Sequence, residues 1–256
     1  MVASSGSRDL ASDRQRALAL LFAGATRRPA LAALYQIDDE IAATTRPGLE
    51  HAVAHARLGW WRGEIDRLVA ARPQHPATRA LLAAAPRGVD AALLHERLVA
   101  ADLALAGFVP DSTRALDALL YRSHGALQQL AAQLCAGEGG GRDAALAEFG
   151  AALGRGLGLL AALRSRRPDA RAAEGDPLAP PLIAARARET LASASQALAA
   201  SSRPAQAHGC VLAALAGAEL RRAAARGYAW PLPRSVPAAF ADLWIAWRAA
   251  RPAQVE

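Results

Sequence analysis

Lysine is absent from the 256 residues, and all 30 basic side chains are arginine. Against 23 acidic residues this leaves a net charge of +7. A uniform choice of arginine beside abundant alanine is a compositional habit, so the charge alone does not define a nucleic-acid partner. Cysteine is scarce too. Cys135 and Cys210 stand far apart without a CxxC pattern, which excludes a disulfide scaffold and a structural zinc site. No segment alternates apolar and polar residues over a useful length, and no NG or DG turn appears, so an all-β reading fails. No stretch of about twenty residues is free of charge, and no spanning helix is expected. The first sixteen residues lack the apolar core of a secretory signal. These absences leave a soluble protein of a reducing, cytoplasmic compartment as the expectation.

What is present is alanine and leucine, the best helix-forming pair, within a 53% hydrophobic composition. Proline and glycine cut the chain into helix-length pieces at 8–24, 29–44, 48–71, 77–85, 90–107, 111–136, 143–165, 182–201, 204–226 and 236–250. The pattern predicts one all-α domain over 11–251, with a flexible N-terminus (1–10) and a short tail (252–256). No fixed period of twenty to fifty residues repeats, which argues against a solenoid.

Four segments carry chemistry above background. In 34–42, LYQIDDEIA, three adjacent acidic residues stand on an otherwise apolar helix. Asp39 shares a face with Tyr35, while Asp38 and Glu40 point about 100° to either side. Carboxylates so placed need solvent, a basic partner or a cation such as magnesium. A solvated acidic stripe is the plain alternative. In 57–68, RLGWWRGEIDRL, the residues Arg57, Trp61, Glu64 and Leu68 form one face. Gly59 and Gly63 offer a surface for close helix approach, and Arg62 is spaced to pair with Asp66. On spacing alone, two core aromatics beside a solvated charged face explain this segment better. In 121–130, YRSHGALQQL, Tyr121 and Gly125 share a face, with His124 and Gln128 on the next. Histidine there is a candidate acid or base, or simply a hydrogen-bonded histidine at the core edge. In 154–169, GRGLGLLAALRSRRPD, the glycines lack both a preceding strand and a P-loop pattern. Tight helix packing at Gly154 and Gly158 accounts for them better. No Ser-His-Asp or HExxH arrangement is assignable.

Taken together, ALYQIDDEIA (33–42), RLGWWRGEI (57–65), HisPro (75–76), YRSHGALQQL (121–130) and LGRGLGLLAALRS (153–165) resemble the squalene/phytoene synthase family. The likeness runs over roughly 12–250 and is most specific at RLGWWR. It implies an isoprenoid-synthase fold, a helical bundle around a central cavity. Active members of that family join two prenyl diphosphates head to head, with magnesium held by two aspartate-rich motifs. Cations neutralise the leaving diphosphate, and a dry aromatic pocket shelters the carbocation. On this resemblance the cavity-side candidates are Tyr35, Asp38, Asp39, Glu40, Arg57, Trp61, Glu64, Tyr121, Arg164 and Asp169. Asp38, Asp39 and Asp169 are the metal candidates.

The sequence departs from the family pattern where the metals would sit. Ala42 and Ala43 follow Asp38 and Asp39 at the +4 positions, Ser165 stands where the second motif should open, and Ala161 replaces an asparagine. In this it is similar to a divergent branch of the family that includes short bacterial proteins and a phytoene-synthase-like mitochondrial assembly factor of respiratory complex I. Two readings follow from the resemblance. The favoured one is a non-catalytic homologue that binds a prenyl or other lipid-like ligand or a protein partner. The other is an active magnesium-dependent prenyl-diphosphate transferase with rearranged ligands. A third reading, an arginine-rich nucleic-acid or anionic-membrane module using Arg27, Arg28, Arg221 and Arg222, has no recognised nucleic-acid motif behind it. Peripheral membrane contact through AWPLP (229–233), Trp244 and Trp247 is compatible with either family reading, as is core packing of the last helix.

Overall fold

A computed structural model describes residues 10–85, 89–137, 143–165, 179–232 and 235–251. Its helices are α1 (Leu10–Leu21), α2 (Arg28–Ala43), α3 (His51–Val69), α4 (Pro76–Ala84), α5 (Ala91–Leu105) and α6 (Thr113–Leu120). After these come α7 (Ala126–Ala136), α8 (Ala144–Ser165), α9 (Pro180–Ala197), α10 (Ala207–Ala224) and α11 (Val236–Ala250). No strand occurs among the described residues. The all-α expectation therefore holds, and its punctuation is visible at the helix ends. Prolines open α2, α4, α9 and α11 within their first two positions, where a missing N–H costs nothing. The side chains of Asp90, Ser112 and Ser235 accept hydrogen bonds from Ala92, Ala115 and Ala238, capping α5, α6 and α11.

The segment predicted as one helix over 111–136 is divided. Tyr121–Gly125 winds as a π turn between α6 and α7. Such turns insert one residue into a helix and gather at functional positions.

Buried side chains fall into two apolar groups. One joins α2, α3, α4, α5 and α7 around Leu31, Ile37, Leu58, Ile65, Leu94 and Leu127. The other joins α8, α9 and α10 around Phe149, Leu160, Ala187 and Leu212, and is edged by α1 and α11. At 22 residues, α8 is long and apolar enough to cross a membrane, but 67% of its apolar window is buried among its neighbours. It is a core helix, and glycine lets it be one. A Cβ at Gly154 would come within 2.6 Å of the Gly125 Cα, and one at Gly150 within 2.6 Å of the Gln128 carbonyl oxygen. The α7–α8 contact is therefore backbone against backbone, as the packing reading of Gly154 requires. Gly154→Ala will lower the unfolding free energy by about 1–3 kcal/mol, because neither backbone can yield locally; chemical denaturation measures this.

Gly59 and Gly63 behave otherwise. A Cβ at 59 would meet nothing within 4 Å, and one at 63 only the end of Arg67 at 3.4 Å. The expected close helix approach is not there, because α3 turns this surface toward solvent. Nor does Arg62 pair with Asp66. It reaches Asp102 on α5, and Asp66 faces His95 at 3.4 Å, so the two charges tie α3 to α5 instead of bracing one helix.

Candidate functional site

The acidic segment of α2 is resolved by burial into unlike parts. Asp38 is buried beside Tyr35, Leu34, Ile37 and Ile41, while Asp39 and Glu40 are exposed. The inward face thus runs through Tyr35 and Asp38, three residues apart, instead of through Tyr35 and Asp39.

A buried carboxylate is costly unless paired, and Asp38 is paired on both oxygens. Arg97 on α5 donates from Nε to Oδ1 at 2.6 Å, and Arg16 on α1 donates to Oδ2 at 2.7 Å. Arg16 also donates to Asp39 Oδ1 at 3.3 Å and lies over the Tyr35 ring, 4.7 Å from its centroid. Burial alone would raise the Asp38 pKa; the guanidiniums of Arg97 and Arg16 outweigh it and hold the carboxyl at about 2. Arg16 is reciprocally raised, since the attraction of Asp38 and Tyr35 exceeds the penalty of its own burial.

The Tyr35 hydroxyl continues the network. It lies 3.1 Å from His208 Nε2 on α10 and 3.3 Å from Gln128 Nε2 on α7, which donates to it. Burial pushes the tyrosine up and the histidine down to about 4, and the nearby Arg16 charge lowers the histidine further. At neutral pH, His208 is therefore an uncharged imidazole and Tyr35 an intact phenol.

A second polar cluster adjoins the first through α1. Gln15, next in sequence to Arg16, donates to Glu219 Oε2 at 2.7 Å. Arg164, at the end of α8, grips Glu219 on α10 with both Nε (2.8 Å) and a terminal nitrogen (2.6 Å). It also reaches Gln15 at 3.1 Å, and the Trp230 indole N–H donates to Glu219 at 3.3 Å. Two successive residues of α1 thus touch both places where the family pattern calls for acidic motifs, the 38–39 pair and the end of α8.

The other sequence candidates are placed elsewhere. Glu64 is fully buried, and its oxygens accept from the backbone N–H groups of Gln74 and His75, each at 2.8 Å, and from Thr78 Oγ1 and Arg67 Nε. Burial opposes ionisation there, but those donors together lower its pKa. It pins the 72–76 turn to α3, a structural clamp. Trp61 is buried, whereas Trp60 faces out. Both rings flank His75, with centroids 5.0 and 6.0 Å away. With Glu40 and Arg57 they line a shallow cleft of about 280 Å³. The Tyr121 hydroxyl donates to Gln129 at 3.1 Å, and His124 Nδ1 sits 2.8 Å from Ser123 Oγ. Asp169 lies outside the described residues.

Magnesium demands near-octahedral oxygen ligands at about 2.0–2.1 Å. At Asp38 the lone pairs that would serve accept from guanidinium N–H groups, and a cation there would face the positive charges of Arg16 and Arg97. No group of three or more His, Cys, Asp or Glu side chains suited to a metal occurs among the described residues. The donor set around Asp38 fits arginine and does not fit magnesium.

The chain forms a helical bundle whose central polar residues come from α1, α2, α5, α7, α8 and α10. Its backbone superposes on the crystal structure of a dehydrosqualene synthase in complex with ligand at a TM-score of 0.68, with 12% sequence identity, covering 92% of this chain and 90% of that one. The squalene/phytoene synthase profile matches residues 10–176. The chain belongs to the squalene/phytoene synthase family. No curated protein sequence matches it.

Proposed function

We propose that this chain is a non-catalytic squalene/phytoene synthase homologue that has kept the helical bundle as a binding scaffold for a prenyl or other lipid-like ligand or a protein partner. The observation that carries the reading is the double arginine clamp on Asp38. Where a working family member would need acidic side chains open to metal-bound diphosphate, this chain places a closed ion triad. Ser165 at the end of α8, and Arg164 beside it turned onto Glu219, support the same reading on the other side of the site. Charge stabilisation of a leaving diphosphate is the largest electrostatic demand of the family reaction. Arginines already spent on buried carboxylates contribute little to it.

The test is direct. Purified protein incubated with magnesium and farnesyl or geranylgeranyl diphosphate will release no inorganic pyrophosphate above a protein-free control, and magnesium will not raise its melting temperature. Pyrophosphate release that Asp38→Asn abolishes would overturn the reading in favour of an active transferase.

A further inference from the structure

Helix α11 is apolar on two opposite sides. Its inner side, with Ala246 fully buried and Ile245 and Ala249 half-buried, packs on α10 and touches α1. Its outer side carries Val236, Phe240, Leu243, Trp244 and Trp247 at i, i+4, i+7, i+8 and i+11, which is one continuous helical stripe. All five are exposed, Phe240 at 69% and Trp244 at 59%. A helix apolar on both sides is normally covered on both, yet nothing among the described residues covers the stripe.

The charges around the stripe indicate the kind of surface that would. Asp242, the acidic residue of α11, turns inward and is neutralised by Arg222 at 2.7 Å. Outside, Arg248 is exposed on α11, Arg251 follows it with its guanidinium 3.6 Å over the Trp247 ring, and Arg221 and Arg226 are exposed around the end of α10. Trp244 and Trp247 stack at 4.8 Å. Tryptophan, phenylalanine and leucine on one side with arginine at the margins is the composition of a helix lying in a lipid headgroup layer. A second copy of the chain is less well matched. Fifteen helical residues span roughly 22 Å, so the stripe alone is a narrow basis for the roughly 800 Å² per partner of a stable dimer.

We infer that α11 is an in-plane membrane-docking helix that seats this protein on an anionic lipid surface. The opposite side of α11 remains packed on the bundle, so docking needs no unfolding and is independent of whether the central site is catalytic. Flotation of the full chain with vesicles of phosphatidylcholine, and of phosphatidylcholine mixed with phosphatidylglycerol, tests this. Binding is expected to the mixed vesicles, weakened by added salt, with a blue shift of tryptophan emission. The double variant Phe240→Ser/Trp244→Ser, whose side chains touch little of the core, should retain the wild-type melting temperature and lose at least about tenfold in vesicle partitioning. Failure of the wild type to bind either vesicle, binding that the double variant retains, or a solution dimer that occludes the stripe each overturns the inference.

Discussion

Asp38→Ala will lower the unfolding free energy by about 3–5 kcal/mol, because it leaves two mostly buried guanidiniums facing each other without their shared carboxylate. The direction of the change separates two roles for this residue. An aspartate kept free for a metal is a like-charge burden on the metal-free protein, and its removal leaves stability unchanged or improved. An aspartate that closes an ion triad is missed at once. Urea denaturation of the metal-free protein therefore reads the role without any assay of activity. Pairing Asp38→Ala with Arg97→Met should recover part of the loss, since that combination removes one of the two uncompensated charges. A double-mutant cycle gives the coupling. Recovery of nothing at all would show that the triad is not the source of the effect.

His208 sets the second large effect, which appears on lowering the pH. Its ordinary pKa of 6.5 falls to about 4 in the fold, so the unfolded chain takes up a proton that the folded chain refuses. Stability contributed by the neutral imidazole is whole above pH 6.5 and drains away as the pH falls toward 4. A difference of this size corresponds to about 3 kcal/mol. Asp38 adds a separate window below it. The stability from its depressed pKa is present above about pH 4 and is lost as the pH approaches 2. Unfolding free energies measured across pH 7 to 4 should thus decline in wild type and flatten in His208→Gln. That variant keeps a neutral hydrogen-bonding side chain near Tyr35 and has nothing to titrate. An unchanged slope in the variant would assign the decline to other groups.

Much of this molecule is legible in its sequence because helix signals are local. Pro29 and Pro76 sit where helices begin, Gly107 follows the end of α5, and the apolar spacing of Leu58, Trp61, Ile65 and Leu68 matches the buried side of α3. The partners of the acidic segment were not legible, for the opposite reason. Arg16 and Arg97 lie 22 and 59 residues from Asp38, and nothing in the spacing of residues 34–42 refers to either. A faint signal did exist in α5, where Arg97 stands between Leu94 and Leu98 on a largely apolar helix. A long cation so placed must find an anion inside. The partners of Glu64 are remote in the same way: Gln74, His75 and Thr78 lie beyond the break that ends α3. Asp38 and Asp39 have unlike surroundings because one helical position, about 100°, decides which carboxylate meets the core.

The π turn at Tyr121–Gly125 sets the angular phase of everything after it. One additional residue within a helix rotates the downstream portion by about 100° relative to an uninterrupted one. That phase brings Gln128 beneath the Tyr35 hydroxyl and turns Gly125 against Gly154 of α8. Regular α-helical winding of the same residues would carry both contacts around the helix axis together. The hydrogen-bonded middle of the bundle and the close approach of α7 to α8 are therefore two consequences of one π turn.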